Sequence, residues 1–201
     1  MLKVGLTGGL ASGKSFVGQA LADLGCHWLQ ADELGHQVLL PGGEAYDAVV
    51  REFGPGILDE QRRIDRRRLA GEVFSRPERL AELNRLVHPP VIRREEEWMA
   101  RVAAEDPRAI AVVEAAILIE TGSHQRFDRL VVAACPREQQ IERAMKRDGI
   151  SREEAEARLE RQMPLEEKRK LADFVIDTSG SKQETLQQAG SVYQALRRIE
   201  P

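Results

Sequence analysis

Short apolar runs alternate along this chain with longer segments in which apolar residues recur every three or four positions. "LKVGLT" is such a run, followed by glycines; "SFVGQALADLG" then places Val17, Leu21 and Leu24 at helical spacing before Gly25 ends the pattern. The next four apolar runs are "CHWLQAD", "AIAVVEAAILIE", "DRLVVAACP" and "DFVID", with helical patterning between them. That alternation predicts an α/β fold, with a five-stranded parallel sheet covered by helices on both faces. In such sheets ligands gather at the carboxyl ends of the strands.

The interval 41–106 reads differently. It holds the helical patterns "AYDAVVREF", "RRRLAGEVF", "PERLAELNRLV" and "PVIRREEEWMARVA" and no convincing strand, which predicts a helical insertion into one core rather than a second independent fold. The Pro89–Pro90 pair predicts a helix end next to His88. Three further helix starts are marked by Ser-x-x-Glu, at Ser75 with Glu78, Ser151 with Glu154, and Ser181 with Glu184. In each, hydroxyl and carboxylate can satisfy free backbone N–H groups reciprocally.

Composition narrows the classes. With 42% hydrophobic and 31% charged residues, the chain can both build and solubilise a core, unlike a disordered polypeptide. A net charge of −3 gives no field suited to wrapping nucleic acid, so a small anionic ligand suits the sequence better than a polyanion. Cys26 and Cys135 form no close pair, which supports neither a disulfide framework nor a thiolate zinc site. No apolar run is long enough to span a membrane, and the first residues run straight into the glycines without a cleavable leader; a cytoplasmic protein without a membrane partner is expected.

Those glycines carry the chemistry. In "GLTGGLASGKS", Gly8, Gly13, Lys14 and Ser15 fit G-x-x-x-x-G-K-[ST], with a strand before and a helix after, the context a phosphate-binding loop requires. Gly9, Ala11, Ser12, Gly13, Lys14, Ser15 and Phe16 are the expected nucleotide-binding positions. Backbone amides converge on the phosphates of ATP, Lys14 bridges the outer phosphates, and the Ser15 hydroxyl meets Mg2+. Phe16 is expected to contribute through backbone or packing. "DELG", from Asp32 to Gly35, matches a GTPase switch by letters alone, with no N-K-x-D downstream, and the chain is too short for a motor. A small-molecule kinase is the leading class.

Such an enzyme needs a carboxylate to orient the acceptor hydroxyl and take its proton. Asp32, after "WLQA", is placed for that, and equally for capping the helix that follows. Glu114, a charge inside the apolar run "VVEAAILIE", implies either a metal-side role beside Ser15 or a buried structural partner. Arg143 and Arg147 share a helix face after the fourth strand, where they could neutralise the transferring phosphoryl group; the bland alternative is a solvated helix pair within a stretch rich in both charge signs. A lone histidine such as His88 is more often a packed or capping group than a ligand.

The whole chain resembles the dephospho-CoA kinase family, through "GLTGGLASGKS", "ADELGHQV" with "PGG", "IDRRRLAGEVFSRPERLAELNRLVHPPV", "VVEAAILIE" and "QIERAMKRDGISREEAEARLERQMPLEEKRKLADFVID". The resemblance implies a P-loop kinase core, an acceptor-side helical subdomain and a mobile helical lid, here set at 146–170. It implies ATP-dependent phosphorylation of the ribose 3′-hydroxyl of dephospho-CoA, the last step of CoA synthesis. It also implies that Asp32 is the catalytic carboxylate and places Arg67 and His88 in the substrate-side block. This chain departs from the family's common forms at Gln30, where an acid is usual, at Glu114, where aspartate is commoner, and at Thr178, where asparagine is frequent. Two alternatives share the loop: a nucleoside or nucleotide kinase, and a regulatory protein that binds ATP without turnover. Joint retention of Lys14, Ser15 and Asp32 favours an enzyme.

Overall fold

The computed structural model describes residues 1–73 and 76–199. In chain order the elements are β1 (Leu2–Gly8), α1 (Lys14–Asp23), β2 (His27–Gln30), α2 (Ala31–Gln37), α3 (Tyr46–Phe53), α4 (Arg66–Val73) and α5 (Pro77–Glu105). They continue with β3 (Ile110–Glu114), β4 (Arg129–Ala134), α6 (Arg137–Asp148), α7 (Arg152–Leu159), α8 (Leu165–Lys170), β5 (Phe174–Asp177) and α9 (Lys182–Leu196). The chain divides into two compact units, Met1–Gln30 with Met99–Pro201, and Ala31–Trp98.

The first unit holds the sheet, ordered β2-β3-β1-β4-β5, with every strand pair parallel. Residues of β3 are buried without interruption, as are those of β4 after its first residue, because helices cover both faces and leave no polar side for alternation. The edge strands β2 and β5 are only partly buried. Leu6, Val112, Val131 and Ile176 from the sheet pack with Val17 and Leu21 of α1 and Val192 and Leu196 of α9. The carboxyl edge brings Gln30, Glu114, Leu6 and Gly8 into neighbouring register, since Glu114 pairs with both Leu6 and Gln30. β1 is flanked by β3 and β4, so the loop that leaves it opens at the point where the strand order reverses.

The second unit is helical and has its own core of Val38, Val49, Phe53, Ile57, Leu69 and Val73. Here the structure corrects the expected break at the proline pair: α5 runs through Pro89 and Pro90 as one helix. Leu83, Leu86 and Val87 before the prolines and Val91 after them all pack against that core. Packing on both sides holds the helix across a local defect that removes backbone donors. The reciprocal caps expected at Ser151 and Ser181 are both formed, whereas Ser75 lies outside the described residues. The third apolar run stops being a strand at Glu114, and the second stops at Gln30, so Asp32 lies in the first turn of α2 rather than at a strand end.

Candidate active site

Two backbone features shape the loop after β1. A Cβ on Gly8 would stand 2.4 Å from Ser12 Oγ and 2.5 Å from Ala133 O, so a larger residue would force the loop out of place. Gly13, at φ 87°, caps α1 without a side-chain hydrogen bond, and the left-handed conformation favours glycine there. No side chain caps α1 at that end, which leaves the helix terminus suited to an anion. Lys14 Nζ donates to Gly9 O at 3.1 Å. Ala11, Ser12, Gly13, Lys14, Ser15 and Phe16 line a cavity of about 240 Å³ that Arg143 and Arg147 complete from α6.

Behind the loop, the Ser15 hydroxyl donates to Glu114 Oε1 at 2.7 Å, and the indole N–H of Trp28 donates to Glu114 Oε2 at 3.1 Å. Glu114 is buried, and both carboxylate oxygens are satisfied, which is how a charge is tolerated at the end of an apolar strand. The carboxylate thus lies between Ser15 and Trp28. Gln30 Nε2 reaches Ser15 Oγ at 3.5 Å, so the residue that replaces an acid points an amide at the same hydroxyl.

The two arginines are held differently. Arg143 Nη2 donates to Thr178 O at 2.7 Å, which ties α6 to the segment after β5. Arg147 makes a two-pronged pair with Asp148, at 2.7 and 3.0 Å, and Asp148 also accepts from Arg158 of α7 at 3.2 Å. These arginines hold the Asp148 carboxyl below the usual carboxylate range.

In the helical unit Asp32 is exposed and lies in the first turn of α2, where a carboxylate also favours the helix dipole. Arg67 is exposed in the first turn of α4; its backbone N–H donates to Asp65 Oδ1 at 2.8 Å. His88 is half-buried on α5, and burial lowers its pKa, which keeps the ring neutral at pH 7. The structure thus places Arg67 and His88 on two helices of one unit.

Comparison with known proteins decides the family. The model of the family described as Dephospho-CoA kinase matches residues 2–184. The chain belongs to the dephospho-CoA kinase family. Among curated relatives, the dephospho-CoA kinase of Aquifex aeolicus is 43% identical, with 98% of this chain and 99% of the relative covered. A crystal structure of a Thermus thermophilus protein superposes with a TM-score of 0.85 at 38% identity, covering 96% of each chain. The dephospho-CoA kinase of Campylobacter jejuni superposes with a TM-score of 0.63 at 28% identity, again covering 96% of each. The chain is accordingly a transferase, a dephospho-CoA kinase acting on a small-molecule substrate at the final step of coenzyme A biosynthesis, with ATP as its donor.

Seen as a dephospho-CoA kinase, the chain carries three loop partners to which sequence reasoning gave no role. Thr178 Oγ1 lies 2.7 Å from Ser12 O and 3.2 Å from Ala134 O, so the residue that replaces a frequent asparagine braces the loop. Gln162 Oε1, between α7 and α8, accepts from Leu10 N at 2.8 Å. Lys168, read from sequence as part of a solvated charged run, is fully buried. Nothing in the local pattern of "LEEKRK" distinguishes it from its exposed neighbours Arg169 and Lys170. Among the described residues, no helix is long and apolar enough to cross a membrane.

Proposed function

We propose that this kinase moves the γ-phosphoryl group of ATP to the ribose 3′-hydroxyl of dephospho-CoA, with the loop amides from Gly9 to Ser15 and Lys14 holding the donor. Asp32 orients the hydroxyl and accepts its proton, while Arg67 and His88 bind the acceptor. Arg143 and Arg147 neutralise charge that develops on the transferring group. The observation that carries this reading is the cavity shared by residues 11–16 and the two arginines: the start of α1 and one face of α6 line one space. The segment 146–170 is the proposed lid over that space, residues 41–106 the proposed acceptor side, and the cytoplasm the proposed location.

The donor set suits magnesium. The Ser15 hydroxyl donates its hydrogen bond to Glu114, which leaves an oxygen lone pair for a hard cation, and Glu114 is close enough to act through a bound water. Such an ion would offset charge on the β- and γ-phosphates. Glu114→Gln should raise the magnesium concentration needed for half-maximal rate by about tenfold or more, as loss of a supporting carboxylate does elsewhere. An unchanged magnesium requirement with an earlier melt would leave Glu114 only as the partner of Trp28.

Acceptor choice is tested by offering ATP with dephospho-CoA, adenosine, AMP or pantetheine derivatives and following ADP and the phosphorylated product. Dephospho-CoA alone should give efficient turnover, with phosphate on the 3′-oxygen. For the arginines, alanine at 143 or 147 should lower kcat on the order of a hundredfold with a modest change in ATP affinity. Lysine should rescue only in part, because a point charge lacks the planar fork. Full rate in both alanine variants would return this helix face to solvated structure.

A further inference from the structure

Lys168 is the feature of this molecule that the assigned roles leave over. Its side chain has no exposed surface, although a buried ammonium is costly unless its donors and charge are satisfied. It has three donors and three acceptors: Ala116 O at 2.8 Å, Gly8 O at 3.4 Å and the Glu120 carboxylate at 2.8 Å. Glu120 also accepts from Met163 N at 3.0 Å. Burial lowers the lysine pKa, and the Glu120 carboxylate opposes that shift. One ion pair therefore joins the end of β1, the segment after β3 and the α7–α8 connection.

Gly8 is the first glycine of the loop, and Gly9 follows it. All peptide bonds among the described residues are trans, so the Gly8 carbonyl and the Gly9 N–H point in opposite directions. A carbonyl turned toward Lys168 turns the Gly9 N–H away from it. The next peptide is held in the same manner: Gly9 O accepts from Lys14 Nζ and from Ser12 N, and Leu10 N–H, on the opposite side, donates to Gln162. Leu10 and Ala11 side chains pack with Ile141, Ala144, Ala155 and Leu159 of α6 and α7. The loop is thus gripped from the lid side by Gln162 and α7, and from beneath by Lys168.

We propose that Lys168 is a positioning residue for phosphoryl transfer: through the Gly8 carbonyl it fixes the start of the loop whose residues 11–16 line the cavity. This rests on the reading of residues 9–15 as the ATP site. Glu120 opposes the effect of burial on the ammonium and, through Met163 N, ties it to the α7–α8 connection, so lid and loop share an anchor.

The test replaces both charges, Lys168→Met with Glu120→Gln, which removes the buried ion pair without stranding one partner and leaves an acceptor for Met163 N. Melting, binding of a fluorescent ATP analogue, and kcat and KM for both substrates are measured against the unmodified enzyme, well below the melting temperature. The expected result is a near-native melt, kcat lower on the order of a hundredfold, ATP binding weaker by up to about tenfold, and an unchanged KM for dephospho-CoA. A merely structural lysine would lower the melting temperature and leave the rate per folded molecule intact. A folded double variant with full kcat overturns the proposal. If that variant unfolds, Lys168→Gln, which keeps an N–H donor, decides the same question at about tenfold amplitude. Failure of the unmodified enzyme to bind the analogue would instead overturn the ATP-site reading itself.

Discussion

Lys14→Ala is expected to abolish phosphoryl transfer, lowering kcat by roughly a thousandfold or more, while the protein stays folded. The lysine is the first residue of α1, and its ammonium lies against the loop at Gly9 O, 3.1 Å away. Losing that hydrogen bond costs only about 1 kcal/mol of stability. The catalytic loss is larger because the charge acts where negative charge develops, beside fixed backbone N–H groups that cannot rearrange to compensate. The measurements are kcat under saturating substrates and the melting temperature. Near-normal turnover would reduce the loop to a Gly-rich turn, and collapse of the fold would make the lysine structural.

Asp32→Asn is the second large effect, with an expected rate loss of roughly a hundred- to ten-thousandfold. The amide can still align an acceptor hydroxyl but cannot take its proton, so KM for dephospho-CoA should change far less than kcat. The side chain is exposed in the first turn of α2, so neutralising it removes a favourable interaction with the helix dipole of only about 0.3–1 kcal/mol. The competing outcome is equally definite: a lower melting temperature at unchanged kcat would make Asp32 a helix-terminal charge and place the base elsewhere.

Much of this molecule was legible in its sequence where the determinants are local. The five strands follow from short apolar runs, and the order strand, glycines, helix locates the loop because Gly8 and Gly13 answer steric demands of their own backbone. The caps at Ser151 and Ser181 are four-residue signals and formed as expected. Pairing of Arg143 with Arg147 follows from helical spacing alone, and both line the loop cavity.

Other features needed contacts that no local pattern contains. The proline pair predicts a break, yet α5 continues because Leu83 and Val91, on either side, reach one core. Glu114 was ambiguous as a lone charge in an apolar run; only strand register beside Gln30 and the reach of Ser15 and Trp28 gave it a defined place. Lys168 is the extreme case, because its acceptor Gly8 O is 160 residues away in sequence and its burial depends on Glu120 being present at 2.8 Å. Periodicity and turn chemistry determined the strands, the helices, the loop and its candidate chemistry, since each depends on neighbours within a few residues. Which charged groups are buried, and which carbonyls they hold, was decided by the tertiary structure alone, because the cost of desolvating a charge is met only by partners that folding brings together.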